Sequence, residues 1–469
     1  MTTLIKVGRR YSFVYLLLSL ALTGCSSIPI MVPDMSTQSS QPVQLSNAKG
    51  PLSAKQSKAI LAKLEKNGGD SNIFDRHLAL EAEIVGSPLV VGNNVELLVD
   101  GPSTYSAMFE AIENAKDSIN METFIFENDP EIGQRFADLL MSKQRSGVQV
   151  NLMYDSVGSL STPKEFFQTL KDTGINVLEF NPVNPLEGKK GWDVNERDHR
   201  KLLIIDGETA FVGGINISSV YSRGSFSKRS SERTEKGIKG IPWRDTHVRI
   251  SGPIVSEFQK LFMANWTVQK GDTLPSRNYF PELKPQGNEV VRAIGSSPNE
   301  PYSQMYVTLL SAINSAESQV WLTNAYFVPD PQMLAALKDA AQRGVDVRLL
   351  LPAKTDSNLV YYASRSYYDE LLSVGIKIYE RQDALLHAKT GMVDSVWSTI
   401  GSTNLDWRSF VNNYEINAVM LGQEFSGKMK ALYEKDLGSS KLITLENWRS
   451  RSVLARLKER SARLWARFL

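Results

Sequence analysis

The chain has 469 residues, of which 42% are apolar and 22% are charged, and its formal net charge is +2 at pH 7. These values are typical of a globular protein with enough apolar material for two average domains, and they exclude a largely disordered chain. A single cysteine excludes an intramolecular disulfide and leaves the redox compartment open.

Residues 1–24 have the pattern of a secretory signal peptide. Three positive side chains precede an apolar segment, 11–22, that is too short to span a membrane. The segment ends in Leu22-Thr23-Gly24-Cys25, which resembles the lipobox of bacterial lipoproteins, where the signal is cut before a cysteine that carries lipid. The sequence therefore predicts lipid attachment at Cys25. Ser26 resembles the residue that directs Gram-negative lipoproteins to the periplasmic face of the outer membrane.

The next segment, 25–54, is rich in Ser, Gln and Pro and has no sustained hydrophobic periodicity. Such a composition is typical of a flexible tether, whose r.m.s. reach at this length is roughly 30 Å. We therefore expect the folded body to work at the membrane surface to which it is anchored.

Charge is unevenly distributed along the chain. Loss of the signal peptide changes the formal net charge from +2 to −1, and residues 446–469 alone carry +5, which leaves about −6 for residues 25–445. A general nucleic-acid binder is expected to be basic over its body. We therefore expect no nucleic-acid partner.

From about residue 95, hydrophobic patterns of helix and strand alternate. The predicted elements are a helix at 105–116, a strand at 118–126, a helix at 131–146, a strand at 148–154 and a helix at 162–173. Gly147 and Gly174 follow two of these helices. The pattern predicts an α/β fold with a parallel or mixed sheet that is covered on both faces.

The second half of the chain repeats this order. Its predicted elements are a helix at 302–316, a strand at 320–327, a helix at 331–343, a strand at 345–351, a helix at 361–373 and a strand at 376–379. Gly344 and Gly375 repeat the helix-ending glycines. The sequence therefore predicts two similar halves, 55–285 and 286–445.

Two basic segments allow more than one interpretation. A loop at 225–240 is rich in Ser, Lys, Arg and Gly, and is either solvated surface or a lid that binds headgroups. Residues 446–469 predict a single amphipathic helix, with Leu454, Leu457 and Trp465 on its apolar face. This helix either docks on the domain or lies on anionic lipid.

A histidine motif occurs once in each half. Asp198-His199-Arg200-Lys201 precedes an apolar run that ends at Asp206, and His387-Ala388-Lys389 begins the same His-x-Lys-x4-Asp pattern, which ends at Asp394. Gly213 and Asn216 follow His199 at the same distances, 14 and 17 residues, at which Gly401 and Asn404 follow His387. Two of only four histidines begin this repeat, so chance is a poor explanation.

The repeated motif suits the chemistry of a phosphodiester. One imidazole can attack phosphorus while another donates a proton to the leaving alkoxide. Lysine and asparagine side chains supply donors for the phosphate oxygens, and these candidates are Lys201, Lys389, Asn216 and Asn404. If a pseudo-two-fold axis relates the halves, both sets meet in one site between them.

No metal or other cofactor is expected for this chemistry. Outside the two motifs the only histidines are His77 and His247, and no His, Cys and carboxylate cluster has the spacing of metal ligands. His247 is expected to be a packed core residue. Asp206 and Asp394 belong to the repeated catalytic motif, although their places after buried strands predict structural roles at turns.

The twin His-x-Lys-x4-Asp-x6-Gly-x2-Asn signature resembles that of the phospholipase D superfamily, over residues 95–440. Within it, residues 243–247 (WRDTH) and 401–409 (GSTNLDWRS), followed by Asn413 and Glu415, resemble the bacterial cardiolipin synthase branch. The resemblance implies two α-β-α sandwich halves with one active site at their interface. It also implies a phospholipid substrate, of which phosphatidylglycerol is the first candidate, and a monomer in which both halves complete the site.

The resemblance also implies residue roles. His199 is the expected nucleophile, which would form a phosphatidyl-histidine, and His387 is the expected general acid and then base. Asp245 and Glu415 are expected to hydrogen-bond the imidazoles of their own halves. Gly214 and Ser402 are expected to bind substrate together with the motif asparagines.

Four functions are compatible with these residues. The first choice is a phosphatidyltransferase of the cardiolipin synthase type. The alternative is a phospholipase D hydrolase, in which water resolves the same intermediate and releases phosphatidic acid. A nuclease and a non-enzymatic envelope lipoprotein are disfavoured, because the body is acidic and both motifs are intact. The family's usual N-terminal membrane helices are replaced here by the lipobox and tether, which leaves the acceptor alcohol open.

Overall fold

The computed structural model describes residues 43–68, 73–184, 193–226 and 240–469. The predicted signal peptide, Cys25 and most of the tether lie outside these residues, and so does most of the predicted basic loop at 225–240. No helix in the described ranges is long and apolar enough to cross a membrane.

The folded body begins earlier in the chain than predicted. Leu45–Asn47 forms a strand that pairs in parallel with Leu89–Val99, and the side chain of Leu45 is fully buried. The tether predicted for 25–54 therefore ends before residue 45. The first elements are β1 (Leu45–Asn47), β2 (Gly50–Pro51), α1 (Ala54–Gly68) and α2 (Leu78–Ile84).

The first half contains the predicted alternation of helices and strands, followed by a set of antiparallel strands. Its elements are β3 (Leu89–Val99), α3 (Asp100–Asn114), β4 (Ser118–Thr123), α4 (Gly133–Arg145), β5 (Gln149–Asp155), α5 (Lys164–Asp172), β6 (Asn176–Phe180), β7 (Arg197–Asp198), β8 (Lys201–Ile205), β9 (Thr209–Gly213), β10 (Trp243–Arg244), β11 (Thr246–Ser251) and α6 (Val255–Val268).

The second half repeats this order and then extends into a helical tail. Its elements are β12 (Glu289–Ser296), α7 (Gln304–Ser315), β13 (Gln319–Asn324), α8 (Pro331–Gln342), β14 (Asp346–Pro352), α9 (Asn358–Arg365), α10 (Tyr368–Ser373), β15 (Lys377–Arg381), β16 (Leu385–Leu386), β17 (Lys389–Val393), β18 (Trp397–Gly401), α11 (Trp407–Val411), β19 (Asn413–Leu421), α12 (Gln423–Leu437), β20 (Ser440–Ile443), α13 (Leu445–Arg449) and α14 (Val453–Arg463).

Local sequence signals explain where helix α8 begins and ends. Asp330 accepts hydrogen bonds from the backbone N–H groups of Gln332 and Met333, and Pro331 occupies the first turn. Gly344 then ends the helix with φ +94°, and Gly147 does the same for α4 with φ +95°. The predicted repeat of helix-ending glycines is therefore confirmed.

Two predicted helices are interrupted. The single helix predicted at 361–373 is two helices, α9 and α10, because Ser357 caps an earlier start and the Ser366 hydroxyl bonds to the carbonyl of Ala363. The tail helix predicted over 446–469 is interrupted between α13 and α14, where Ser452 caps the second of them. A 3₁₀ turn at Ala466–Phe468 follows.

The two halves have the same strand order. It is β6-β5-β4-β8-β9-β11-β3 in the first and β15-β14-β13-β17-β18-β19-β12 in the second. The equivalent strands β3 and β12 pair antiparallel and join the halves into one sheet. Antiparallel pairing of equivalent strands is the arrangement that a two-fold axis through the sheet produces. The predicted pair of similar α/β halves is confirmed.

One core cluster contains residues from both halves. It includes Phe258 and Phe262 of α6, Ile416 of β19 and Phe425 of α12, all of them fully buried. A second cluster fills the space beneath α3, α4 and α5. Both faces of the sheet are therefore covered, as in an α-β-α sandwich.

The motif aspartates lie at the edge of the sheet where β8 and β17 end. Asp206 accepts backbone hydrogen bonds from Lys116, Asp117 and Ser118 at distances of 2.7–3.1 Å. Asp394 accepts equivalent bonds from residues 317–319. Each aspartate therefore ties a strand end to the loop before β4 or β13. Asp206 lies at the far end of β8 from Lys201, and Asp394 lies at the far end of β17 from Lys389. Both are therefore placed for a structural role and not for contact with substrate.

Candidate active site

Two short cross-half strand pairs build the site. Strand β7 pairs in parallel with the start of β19, and β10 pairs in parallel with β16. The backbone N–H of His199 then donates to the carbonyl of Tyr414 at 3.0 Å, and that of His387 donates to the carbonyl of Arg244 at 2.8 Å. These pairings place His199 beside Glu415, near the start of β19, and His387 beside Asp245, which follows β10. Both histidines lie at the edge of the sheet where β4, β5 and β6 end. We call this edge the histidine edge.

The His199 imidazole is paired with a carboxylate of the second half. Its Nδ1 lies 3.1 Å from both carboxylate oxygens of Glu415. Glu415 also accepts hydrogen bonds from Asn413 at 3.2 Å and from the Ser402 hydroxyl. Because the carboxylate holds the proton on Nδ1, the Nε2 lone pair is left to act as a nucleophile or base.

The His387 imidazole is paired with a carboxylate of the first half. Its Nδ1 lies 2.7 Å from Oδ2 of Asp245, whose other oxygen accepts the backbone N–H of Thr246 at 2.7 Å. The Tyr221 hydroxyl is 3.1 Å from the same Nδ1. The indole of Trp243 lies against the ring, with centroids 5.1 Å apart.

The prediction that each carboxylate serves the histidine of its own half is wrong. Glu415 bonds to His199, 216 residues away, and Asp245 bonds to His387, 142 residues away. The cause is that β7 of the first half pairs with β19 of the second, and β16 of the second half pairs with β10 of the first. Each histidine therefore lies on the other half's side of the pseudo-two-fold axis. Each half therefore completes the site of the other.

Both motif lysines are buried beside their histidines. Lys201 Nζ donates to the carbonyl of His199 at 2.6 Å, and Lys389 Nζ lies 3.0 and 3.1 Å from the two ring nitrogens of His387. Burial lowers the pKa of Lys201 to about 7 and that of Lys389 to about 8, although Asp245 and Glu415 act in the opposite direction. Each ammonium also lowers the pKa of its own histidine.

The imidazoles are neutral near pH 7 while their carboxylates are ionised. Burial lowers the pKa of His199 to about 4, and burial followed by the Lys389 charge lowers that of His387. Burial alone would raise the pKa of Glu415, but His199, Lys201 and Ser402 hold it at about 2. Likewise the pKa of Asp245 is lowered by His387 and Lys389 in spite of burial.

The two motif asparagines are placed differently. Asn216 accepts the N–H of Ile125 at 3.2 Å and donates to the Tyr221 hydroxyl at 3.3 Å. The side-chain oxygen of Asn404 is buried and has no hydrogen-bond partner within the part of the chain that the structure describes. Asn404 therefore has an acceptor oxygen left for a donor group, whereas Asn216 is held by the protein.

The residues at Gly214 and Ser402 contact carboxylates. A Cβ at Gly214 would lie 2.2 Å from Oδ1 of Asp245, so only glycine allows this approach. Ser402, at the equivalent place, donates its hydroxyl to Glu415 and accepts the N–H of Ile416 at 2.9 Å. Both were predicted to bind substrate, but the structure places them behind the carboxylates.

His247 is fully buried, and neither ring nitrogen has a hydrogen-bond partner among the described residues. Burial lowers its pKa to about 3. This environment agrees with the prediction of a packed core histidine. Across the described ranges, no group of three or more His, Cys, Asp or Glu side chains is arranged to hold a metal ion.

The sequence interpretation gave no role to three aromatic neighbours of the histidines or to Asp100, which lies behind Asp245. Tyr221 and Trp243 contact His387, and the ring of Phe124 meets His199 edge-on at 5.1 Å. Asp100 accepts the backbone N–H of Asp245 at 3.1 Å and fixes the segment that carries it. Only Trp243 was within reach of motif reasoning, because it directly precedes Arg244-Asp245.

Comparison with known proteins agrees with this geometry. The family described as "Cardiolipin synthase, PLD-like domain" matches residues 108–226 and 309–437, one segment in each half. The chain belongs to this family. Among its relatives, a cardiolipin synthase from Geobacillus sp. (strain WCH70) is 36% identical over 390 residues, which are 82% of this chain and 74% of the relative.

Other members and a solved structure extend the comparison. A cardiolipin synthase A from Pseudomonas putida (strain W619) is 35% identical over 80% of this chain and 75% of its own length. The crystal structure of a phosphatidylserine synthase from Haemophilus influenzae Rd KW20 aligns with a TM-score of 0.58 at 14% identity, over 83% of this chain and 96% of that one. At this identity the structural match shows the fold alone.

Proposed function

We propose that this family member is a phosphatidyltransferase that acts on phospholipids through a phospho-histidine intermediate, and that phosphatidylglycerol is both donor and acceptor. The observation that carries the proposal is the pair of buried neutral imidazoles, each fixed through Nδ1 by an ionised carboxylate of the other half. The printed names of its relatives, cardiolipin synthases, support the substrate class.

In the first step Nε2 of His199 attacks the phosphorus of the donor. The bond from phosphorus to the glycerol oxygen breaks, and His387 gives its proton to that oxygen as glycerol leaves. In the second step the hydroxyl of the acceptor attacks phosphorus, His387 takes its proton, and the bond between phosphorus and His199 breaks. His387 therefore gives its proton to glycerol in the first step and regains a proton from the acceptor in the second.

The acid role of His387 requires a rise in its pKa on substrate binding. In the free site, burial and the Lys389 ammonium hold this pKa down. A phosphodiester carries negative charge, which attracts both lysines and favours a protonated imidazole. The buried ammonium groups of Lys201 and Lys389, beside the two imidazoles, are the proposed donors to the non-bridging oxygens.

We also propose the location that the amino terminus predicts, which is a lipid anchor at Cys25 on the periplasmic face of the outer membrane. The supporting observation is the lipobox-like segment that ends in the only cysteine of the chain. Mass spectrometry of the mature amino-terminal peptide tests it. An unmodified Cys25 in protein isolated from a bacterial envelope would contradict it.

The test of the proposed reaction is mass spectrometry of the lipids formed from phosphatidylglycerol vesicles, with a chelator present and the His199→Ala protein as control. We expect cardiolipin and glycerol in equal amounts, both lost in the variant. Phosphatidic acid as the sole His199-dependent product would replace the transferase with a hydrolase. Products that persist in His199→Ala would overturn the histidine mechanism.

A further inference from the structure

Exposed apolar side chains are concentrated in the tail. Fifteen large apolar side chains are exposed among the described residues, and six of them lie between residues 453 and 468. Their exposed fractions run from 57% to 80%. The six are Val453, Leu454, Leu457, Leu464, Trp465 and Phe468. A contiguous apolar surface of this kind marks an interaction site more often than chance exposure.

Helix α14 is held to the body by its polar side. Glu459 and Ala462 are its buried residues, and a carboxylate oxygen of Glu459 lies 3.8 Å from Nε of Arg365 in α9. Arg463 pairs with Glu370 of α10 at 2.7 Å. Since residues two apart point in opposite directions on a helix, Leu457 faces away from the side that Glu459 buries. The docking interpretation of the tail is therefore right about contact with the domain, but the apolar face points outward.

Further exposed apolar residues lie at the histidine edge. Val157 and Leu160, which are 41% and 70% exposed, occupy the loop after β5. Within this loop Gly158 packs against Phe124, where a Cβ would lie 2.2 Å from the Phe124 carbonyl oxygen. The Phe124 ring in turn contacts His199. The loop that carries Val157 and Leu160 therefore packs on Phe124, whose ring contacts His199.

A chain of hydrogen bonds joins the tail to this edge. The carbonyl of Leu469 accepts the backbone N–H of Arg408 at 2.9 Å, and the Arg408 guanidinium donates to the carbonyl of Asn195 at 3.0 Å. Arg408 belongs to α11, which follows Asn404, and Asn195 is next to Val194, another exposed apolar residue. We call the six tail residues with Val157, Leu160 and Val194 the apolar rim.

Positive charge accompanies the apolar rim. Arg456, Lys458 and Arg460 are exposed on α14 between the apolar residues. Residues 446–469 carry a net charge of +5, whereas the rest of the mature chain is acidic. Apolar side chains interleaved with exposed cations match the interface of a bilayer that contains anionic lipid, where each basic residue near the surface adds to the attraction.

We propose that the apolar rim is a docking surface for a bilayer containing anionic phospholipid, and that it turns the histidine edge toward the headgroups. This inference rests on the proposed function, because a phospholipid headgroup is the substrate that the orientation would bring to His199. It adds to the predicted anchor: the anchor keeps the chain near the membrane, and the rim sets which edge of the sheet faces it.

The test compares one aromatic residue at each edge of the sheet. Phe468→Ser removes a ring that is 70% exposed on the apolar rim, and Phe280→Ser removes a ring that is 48% exposed beside the Asp206 turn, at the opposite edge. Both changes are made in the full chain with Cys25→Ser, so that no acyl group contributes. Binding is measured by flotation with phosphatidylcholine vesicles, with and without phosphatidylglycerol.

We expect Phe468→Ser to weaken binding about tenfold and Phe280→Ser to leave it unchanged. Lys458→Gln with Arg460→Gln should remove most of the preference for vesicles that contain phosphatidylglycerol. Equal binding of the two serine variants would overturn the inference. A concentration-dependent change in sedimentation, with unchanged vesicle binding, would assign the rim to contact between copies of the chain instead.

Turnover separates this inference from the proposed function. With short-chain phosphatidylglycerol below its micellar concentration, Phe468→Ser should be as active as the parent, but on vesicles its rate should fall with its binding. If the parent binds vesicles and makes no product from either substrate, the proposed function fails while the docking surface stands. If Phe468→Ser loses activity on the dispersed lipid, the residue acts on the fold and the docking argument fails.

Discussion

The His199 and His387 sites are built from equivalent residues but differ in what surrounds the imidazole. His199 has a glutamate that is itself held by Ser402 and Asn413, with an aromatic edge as its other neighbour. His387 has the shorter Asp245, which approaches over Gly214. Additional polar groups, the Tyr221 hydroxyl and the Lys389 ammonium, lie within 3.1 Å of the His387 ring nitrogens.

This difference indicates how one duplicated motif can serve two roles. A neutral imidazole with an unobstructed Nε2 suits attack on phosphorus, and His199 has this environment. An imidazole whose pKa is held down by a neighbouring ammonium can gain a proton when an anion binds to that ammonium, and His387 has this environment. The proposed assignment of His199 as nucleophile is compatible with this difference, and the following experiments test it.

The largest effect is expected from loss of either imidazole. His199→Ala and His387→Ala should each lower kcat by about 10³-fold or more, because nucleophile and proton donor have no substitute. The two variants should differ with a donor whose leaving group needs no proton. His387→Ala should then accumulate a phospho-protein that intact-mass spectrometry detects, and His199→Ala should not. Trapping in His199→Ala alone would reverse the roles.

Loss of a buried lysine should reduce activity and alter the pH dependence of stability. Lys201→Met should lower kcat by roughly 10²-fold to 10³-fold, as expected for a lost oxyanion donor. Burial lowers the pKa of Lys201 from 10.5 to about 7, so between these values the unfolded chain binds more protons than the native one. The unfolding free energy of the parent therefore rises with pH across this window and falls as pH drops.

In Lys201→Met this contribution is absent, so its unfolding free energy should rise less steeply with pH. The difference in slope is at most about 1.4 kcal/mol per pH unit. Urea denaturation of both proteins at pH 7 and pH 9 measures it. Parallel pH profiles would mean that Lys201 keeps its proton in the native state.

The crossed carboxylates give the sharpest test of the comparison. Glu415→Gln and Asp245→Asn should each lower kcat by roughly 10²-fold, because the imidazole loses its fixed tautomer. With only four histidines in the chain, ¹⁵N spectra can follow each ring. Glu415→Gln should shift the His199 resonances and leave those of His387 in place. Asp245→Asn should do the reverse, and a shift within the same half would contradict the crossed pairing.

Sequence reasoning found the parts of this site but not their connection. The histidines, lysines and Asn404 repeat at fixed spacing, and the helix-ending glycines reveal the duplication, so both are local signals. The pairing of Glu415 with His199 depends on which half β7 joins, and that is a contact across 216 residues. Spacing within one half carries no information about it.

Residues that have no counterpart in the other half of the chain were missed for a related reason. Tyr221 follows His199 by 22 residues, and the equivalent position after His387 is Ser409, so repeat analysis passes over it. Asp100 contacts the backbone of Asp245 and not the imidazole, so no motif pattern points to it. The outward apolar face of the tail also depends on packing, because ion pairs of Glu459 with Arg365 and of Arg463 with Glu370 turn the polar side of α14 toward the domain.

Alanine at the two equivalent small residues should separate the sites further. In Gly214→Ala the new methyl would lie 2.2 Å from Asp245, so the carboxylate must move, and we expect kcat to fall by roughly tenfold or more. Ser402→Ala removes one hydrogen bond to Glu415 without a clash, which corresponds to about threefold to tenfold. The contrary outcome is a larger fall in kcat for Ser402→Ala than for Gly214→Ala, at equal folded fractions by circular dichroism. It would show that Glu415 depends more on its neighbour than Asp245 does.

The smallest effect is expected from Tyr221→Phe, which bears most directly on the difference between the His199 and His387 sites. The hydroxyl lies near Nδ1 of His387 and accepts from Asn216, but Asp245 already fixes the imidazole tautomer, so we expect kcat to fall only about threefold. The informative readout is the pH profile. If Tyr221 helps His387 hold its proton in the substrate complex, the limb of kcat assigned to the acid should move to lower pH in Tyr221→Phe. Because Phe124 contacts the imidazole of His199, Phe124→Leu should leave that limb of the pH profile in place. Equal shifts in both variants would remove Tyr221 as the source of the difference between the two histidines.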